Sequence, residues 1–215
     1  MAVPPPVKPA FTSGPGTPLR RDRFATRFAP VLRAAPVRSR PGGGVVATLG
    51  TRTPEGTDNI VQIAGRRPPY VKVPLTDGVT GWVPRAALGG YATVTTRLDD
   101  DLHALTATLY RDGRAVLSAP VGVGAAGTPT PAGRFYIRDK LTRYRSPAYG
   151  PVAFGTSARS PTITDWPAGG YVGIHGTDRP DLLPGRVSHG CIRLRNADIL
   201  RLARAMPVGT PVVIR

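Results

Sequence analysis

Hydrophobic and polar positions alternate along most of this chain with the two-residue period of strands, not the 3.6-residue period of helices. Between residues 28 and 88, short β-rich runs fall at 45–49, 59–64, 70–75 and 79–83. Gly and Pro clusters separate them, and Asp77-Gly78 marks a turn between the last two. From residue 90 the alternation sharpens. His103, Leu105, Ala107 and Leu109 share one face, and Ala104, Thr106, Thr108 and Tyr110 the other. Asp112-Gly113 follows, then Ala115, Leu117, Ala119 and Val121 on one face, which predicts a hairpin. Further strands are expected at 135–137, 171–174 and 211–214. One segment has helical spacing. Asn196 reads as an N-cap, with Ile199, Leu200, Leu202, Ala203 and Met206 as its apolar stripe and Pro207 as its stop. Residues 139–170 show no period and are expected to form a long loop, of the kind that serves as a lid or binding loop. Trp166, Tyr144 and Tyr149 lie there, as a substrate wall or as anchors packing the loop.

The pattern therefore predicts a mainly β protein with one clear helix near the C-terminus, in three segments. Residues 1–27 are dominated by Pro, Gly, Ser and Thr with isolated apolar residues, and read as a disordered or extended linker. Residues 28–88 form a small β domain and residues 90–215 a larger one. Composition sharpens this. The chain has 215 residues, 26 of them Gly and 25 Pro without a Gly-X-Y period, which excludes collagen and argues against a helical bundle. One cysteine excludes an internal disulfide framework, a CxxC redox pair and an all-cysteine zinc site. No apolar run approaches the ~18 residues of a membrane span. The first residues lack the basic start and apolar stretch of a secretory signal.

Charge adds less. The net charge is +16, and every basic residue except Lys8, Lys72 and Lys140 is arginine. Arginine suits an anionic polymer, and it is equally at home as a solvated surface group. No dense basic run interleaved with aromatics points to nucleic acid.

The chemistry-bearing residues cluster late in the chain: Ile174-His175-Gly176-Thr177, then Ser188-His189-Gly190-Cys191-Ile192-Arg193-Leu194. In an extended stretch His189 and Cys191 share a face, with Gly190 between them leaving room for a substrate backbone. A neighbouring histidine can lower a thiol pKa through a thiolate–imidazolium pair and return the proton to a leaving amine. Backbone N–H groups at a glycine turn can stabilise an oxyanion. Cys, His and a glycine turn thus suffice for acyl transfer. From residue types alone, a buried structural cysteine remains open. So does a mixed zinc site of His175, His189, Cys191 and Asp178, although it lacks the usual short ligand spacing.

These two motifs resemble the signature of the L,D-transpeptidases, the YkuD-type catalytic domain. The resemblance extends to Leu109-Tyr110-Arg111-Asp112-Gly113, to residues 121–124 and 128–135, to Arg195-Asn196-Ala197-Asp198, and to Gly209-Thr210-Pro211-Val212. It implies an L,D-transpeptidase-type β-barrel or sandwich. It implies a peptidoglycan enzyme that cleaves a tetrapeptide stem through a cysteine thioacyl-enzyme and passes the acyl group to an amine of another stem, without a cofactor or a metal. Carried over, Cys191 is the nucleophile and His175 the general base. His189, Gly190 and Cys191 supply the oxyanion pocket, and Ser188 braces the turn. Arg193 holds a stem carboxylate or braces the loop, and Gly176, Thr177, Trp166 and Tyr149 line the substrate site. Some members place serine after the first histidine; with Gly176 there, a backbone carbonyl or another side chain such as Asp178 must orient the ring. The stretch between His175 and Ser188 is short for the family, which implies a small lid. His103, far from the motif, is expected to be structural.

In residues 28–88, Val31-Leu32-Arg33-Ala34-Ala35-Pro36 and Gly81-Trp82-Val83-Pro84 resemble strands of bacterial SH3-like domains. This implies a small β-barrel that binds cell wall, with Trp82 as a core anchor and Tyr70 in place of a usual tryptophan. The combined expectation is a cell-envelope or secreted enzyme. The alternatives are an L,D-carboxypeptidase of the same fold using water, and a noncatalytic wall-binding protein. A papain-like hydrolase places cysteine before histidine, the reverse of the order here.

Overall fold

Alternating β-branched residues make the strands, and the computed structural model describes them over residues 24–75, 80–142, 146–162 and 170–215. The N-terminal part contains β1 (Thr26–Pro30), β2 (Ala35–Arg38), β3 (Val45–Leu49), β4 (Ile60–Gln62), β5 (Gly65–Arg67), β6 (Tyr70–Pro74), β7 (Thr80–Pro84) and β8 (Ala92–Val94). Among the described residues, β3-β2-β7-β6-β5 form one sheet and β4-β1-β8 another. Ala29, Val31, Val37, Val61, Val71, Val73, Val83 and Leu88 pack between them as an apolar core.

The C-terminal part contains β9 (Thr96–Asp101), β10 (Thr106–Arg111), β11 (Arg114–Pro120), β12 (Gly122–Gly124), β13 (Gly133–Leu141), β14 (Ala153–Arg159), β15 (Tyr171–His175), β16 (Gly185–Ser188), β17 (Ile192–Arg193), α1 (Asn196–Ala205) and β18 (Pro211–Ile214). The strands form one curving sheet in the order β11-β10-β9-β18-β13-β14-β15-β17-β12-β16. A second core lines it, and α1 closes that core with Ile199, Leu202 and Ala203. Burying side chains such as Ile199 and Leu202 contributes roughly 1.5–3 kcal/mol each.

The two parts touch through specific contacts. Gln62 Nε2 donates to Gly209 O at 2.9 Å, and Tyr136 Oη donates to Ile60 O at 3.3 Å. Arg138 Nη2 donates to both oxygens of Glu55, at 3.0 and 2.9 Å. The side chains of Arg138 and Glu55 are only 6% and 13% exposed.

Several expectations change. Residues 139–170 are not one loop. They hold the end of β13 and all of β14, whose residues are buried except Arg159. A strand covered on both faces has no polar alternation to read. Residues 102–105 form a turn, so β10 begins at Thr106, and His103 is exposed with its N–H donating to Asp101 Oδ1. Ala115 is exposed because a register shift at Leu109/Tyr110 sets it opposite Tyr110 instead of beside Leu117. Trp82 is only half-buried, since Gly81 and Val83 take the inward positions of β7; it sits between Arg38 and Lys72 on the other face. Leu200 is 38% exposed, one position off the buried stripe of α1. The first strand begins at Thr26, inside the stretch read as linker. Residues 1–23, Asp77-Gly78, Tyr144 and Trp166 lie outside the described residues.

One polar group in the second core makes a prediction. Asp100 lies in β9 between Ala107 of β10 and Ile214 of β18, fully buried, and neither carboxyl oxygen has a hydrogen-bond partner among the described residues. Burial, helped by the adjacent charge of Asp99, pushes its pKa up to about 8. The native state keeps a proton that the unfolded chain releases near pH 4. This contribution to stability is therefore complete below about pH 4 and is lost as pH rises toward 8. Asp100→Asn should flatten that part of the pH dependence. The check is the difference in urea midpoint between the two chains at pH 4.5 and pH 8, which should favour the variant at the higher pH.

Candidate active site

The site is assembled by a short parallel pairing. β15 and β17 run side by side with Ile174 opposite Ile192 and His175 opposite Arg193. Gly173 is thereby brought beside Cys191, and its N–H approaches Sγ at 3.4 Å. A methyl group placed on Gly173 would lie 3.7 Å from both Cys191 Sγ and His175 Cδ2, so thiol and imidazole flank the same small space. Both line one cleft of about 310 Å³, with Tyr149, Phe154, Tyr171 and Glu55 among its walls.

His175 is held from one side. Its Nδ1 lies 2.6 Å from Gly176 O. A carbonyl only accepts, so the neutral ring carries its proton on Nδ1 and leaves Nε2 with a free lone pair. The orienting group is thus the backbone carbonyl of Gly176, while Asp178 is exposed. Gly176 is buried where a Cβ would lie 2.3 Å from Asn196 Oδ1 and 3.1 Å from Gly150 Cα, so only glycine fits this approach. Asn196 is not the cap of α1. It is the first helical residue, and its Oδ1 accepts the N–H of Thr177 at 3.0 Å. Thr177 is buried, with its hydroxyl accepting the N–H of Arg179, so it shapes the loop and does not line the cleft. Tyr149 packs against the imidazole at 4.4 Å between ring centroids, with the two planes tilted by 42°.

Cys191 is held from the other side. Ser188 Oγ donates to Cys191 O at 2.5 Å and accepts the N–H of Gly190 at 3.1 Å, which braces the turn. Thr130 Oγ1 donates to Gly190 O, and Thr128 Oγ1 donates to Ser188 O. The residues after β12 therefore clamp the nucleophile turn, roles that spacing alone does not reveal. Gly190 has φ of +110°, a conformation that side-chain-bearing residues avoid. That break ends the alternation: His189 is exposed and Cys191 buried, so they do not share a face. Gly190 N–H is committed to Ser188, so it is not a free donor. Arg193 is half-buried, with its Nε buried and without a hydrogen-bond partner among the described residues. Its charge bears on Cys191, His175 and Tyr149. Trp166 lies outside the described residues. Among the described residues no group of three His, Cys, Asp or Glu side chains converges as a metal site.

Burial governs the protonation of the pair. It pushes His175 down to about 4, with the Gly176 hydrogen bond opposing and Arg193 reinforcing the shift. It pushes the Cys191 thiol up, against the Gly173 N–H and the charge of Arg193. The resting pair is neutral thiol and neutral imidazole, not the thiolate–imidazolium pair expected from the sequence. A base with a free Nε2 beside an un-ionised thiol can take its proton as the bond to substrate forms.

The family model described as the L,D-transpeptidase catalytic domain (YkuD) matches residues 96–214. The YkuD protein of Bacillus subtilis (strain 168), which carries an L,D-transpeptidase name, is 35% identical over 146 residues, covering 68% of this chain and 80% of its own. Its counterpart in Bacillus licheniformis is 34% identical over 122 residues, covering 57% and 67%. Among solved structures, the catalytic domain of an L,D-transpeptidase from E. faecium is 29% identical and covers 56% of this chain and 96% of its own, with a TM-score of 0.43.

The neutral resting pair has a measurable signature. The rate of Cys191 alkylation by iodoacetamide should climb steadily from pH 6 past pH 9 as the thiol ionises. A preformed thiolate would instead give a rate already level near neutral pH.

Proposed function

The chain belongs to the L,D-transpeptidase family, and from that premise we propose that it is a peptidoglycan L,D-transpeptidase working through a thioacyl-enzyme on Cys191. The observation that carries this reading is the convergence of Cys191 Sγ and His175 on the space beside Gly173, at the wall of one cleft. His175, fixed through Nδ1 by Gly176 O, takes the thiol proton on Nε2 as sulfur attacks the stem carbonyl. The same nitrogen returns the proton to the departing amine. The N–H groups of Cys191 and His189 are the remaining oxyanion donors of the expected set, since Ser188 holds that of Gly190. Arg193, whose charge bears on both Cys191 and His175, holds a stem carboxylate or braces the active-site loop in this reading. An incoming side-chain amine then attacks the thioester, His175 accepts its proton, and the C–S bond breaks, the proton passing to the departing Cys191 sulfur.

In the same reading, residues 28–88 are an SH3-like wall-binding module, and the protein works in the cell envelope or outside the cell. Trp82, half-buried between Arg38 and Lys72, is a surface such a module can offer to a ligand.

The test is mass spectrometry of the protein incubated with disaccharide-tetrapeptide, with and without an acceptor amine. A covalent adduct and a cross-linked dimer are expected. Cys191→Ala should abolish the adduct and His175→Ala should lower its rate at least ~100-fold, the scale of general-base loss. His189→Ala, at an exposed position, should retain it. Trimmed stems without dimers would point to a carboxypeptidase, and no adduct in the parent chain would overturn the assignment.

A further inference from the structure

One face of the N-terminal part carries large side chains that its core does not take up. In the sheet β3-β2-β7-β6-β5, the inward positions of β2, β6 and β7 include Val37, Val71, Val73 and Val83, all in the core. Directly opposed residues of paired strands share a face, so the register identifies the outward set. Arg38 of β2 stands opposite Trp82 of β7, Trp82 opposite Lys72 of β6, and Lys72 opposite Gly65 of β5. A second row, one step along the strands, joins Pro84, Tyr70 and Arg67. None of these residues is buried.

Two features set this surface apart. Its indole faces outward of necessity: a β-carbon at the inward position of Gly81 would overlap Val37 Cγ1, so the core has no room for a larger side chain on that strand. And its charged groups are all cations. Among the described residues, Trp82 Nε1, Tyr70 Oη, Lys72 Nζ and the Arg67 guanidinium have no protein partner, while Arg38 gives one N–H to Gly43 O. The two carboxylates described in this part are engaged elsewhere, Glu55 with Arg138 and Asp58 with Arg52. Strand spacing of about 4.8 Å sets the backbones of Arg38 and Lys72 roughly 10 Å apart with the indole midway. The complementary ligand is apolar at its centre and anionic on both sides.

We propose that this sheet face binds a glycan whose sugars are joined by phosphodiesters, with one sugar ring packed on Trp82 and the phosphates on either side taken by Arg38 and Lys72. The proposal rests on the wall-binding reading of residues 28–88 and names the ligand and the face. The flat C–H face of a sugar packs against an indole, whose edge keeps an N–H for a hydroxyl. Arg38 meets a phosphate as a fork and Lys72 as a point charge on an apolar stem. Tyr70 and Arg67, in the next row, meet the following unit of the chain. A neutral glycan would leave the flanking cations unmatched. Single-stranded nucleic acid follows a basic groove with successive stacking rings, and here the rings stand on the face of a sheet.

The test titrates the full chain with an oligomer of N-acetylglucosamine 1-phosphate. The comparison probes are a chito-oligomer, which has the sugar without phosphate, inorganic polyphosphate, which has the charge without sugar, and oligo(dT). The sugar-phosphate oligomer should bind at least about tenfold more tightly than each of the three, the scale of one charge-assisted or aromatic contact. Trp82→Ala should lower its affinity about tenfold, and so should Arg38→Ala or Lys72→Ala. Lys72 makes no protein contact through its charge, so Lys72→Ala carries the test if Trp82→Ala fails to fold. The control is Arg114→Ala with Arg204→Ala, two exposed positions of the other part, which should leave affinity within about twofold. An equal loss in the control, or none in the three face variants, reduces the binding to attraction by the +16 net charge and overturns the proposal. Equal or tighter binding of the chito-oligomer, polyphosphate or oligo(dT) overturns it too. Pelleting with bacterial sacculi separates this proposal from the reading beneath it. Sacculi stripped of phosphodiester-linked polymers by hydrofluoric acid should lose the protein. Unchanged binding to stripped sacculi overturns the ligand and keeps the wall-binding module, and no binding to either preparation overturns both.

Discussion

The site depends on a parallel pairing between two short strands. Parallel neighbours cannot be joined by a tight turn, so the chain must leave β15, cross over and return as β17 in the same direction. Residues 176–191 make that crossing, and every residue that fixes the pair lies on it or against it. The register is held by the core, because Ile174 and Ile192 are both fully buried. A slip of one residue would turn them toward the opposite face and draw Cys191 away from Gly173. Hydrophobic packing, which carries no chemical information of its own, thus sets the distance between nucleophile and base.

Burial then decides the ionic state of what packing has placed. Imidazole and thiol are both more stable uncharged in this cleft, so the pair rests without charge separation and the proton moves only when substrate supplies a partner for the sulfur. Two backbone arrangements replace side-chain support. The Gly176 carbonyl does for His175 what a serine or carboxylate does elsewhere, and the Gly190 turn, clamped by Ser188 and Thr130, does the same for Cys191. Both require glycine for steric reasons, and both make the site dependent on contacts distant in sequence.

Much of this was legible in the chain beforehand, and the exceptions have physical causes. Strands with one wet face, such as β10 and β11, announce themselves by alternation, and the amphipathic helix α1 does so by its stripe. β14 was missed because small residues covered on both faces look like loop. β9 was missed because its Asp99-Asp100-Asp101 run reads as solvated, although Asp100 is fully buried. At the site, Cys191, His175 and Ser188 follow from residue type and resemblance. The roles of Asn196, Thr130 and Gly173 do not, because each acts across a gap of many residues through one hydrogen bond or one close approach. Thr177 and His189 were misplaced for a related reason. A side chain's direction beside a positive-φ glycine or inside a tight turn is not given by period.

The position of Glu55 bears on how such a protein can be assembled over evolutionary time. The region that defines the family begins at Thr96, yet a wall of its cleft is contributed from well upstream, by a loop of the preceding part. An exchange of the N-terminal part for an unrelated one would keep the nucleophile, the base and their register, and would change the cleft wall. The arginine and two tyrosines at that seam, Arg138, Tyr136 and Tyr171, would be left facing a new neighbour. In this architecture the accessory part and the reaction centre are inherited together or must be refitted together.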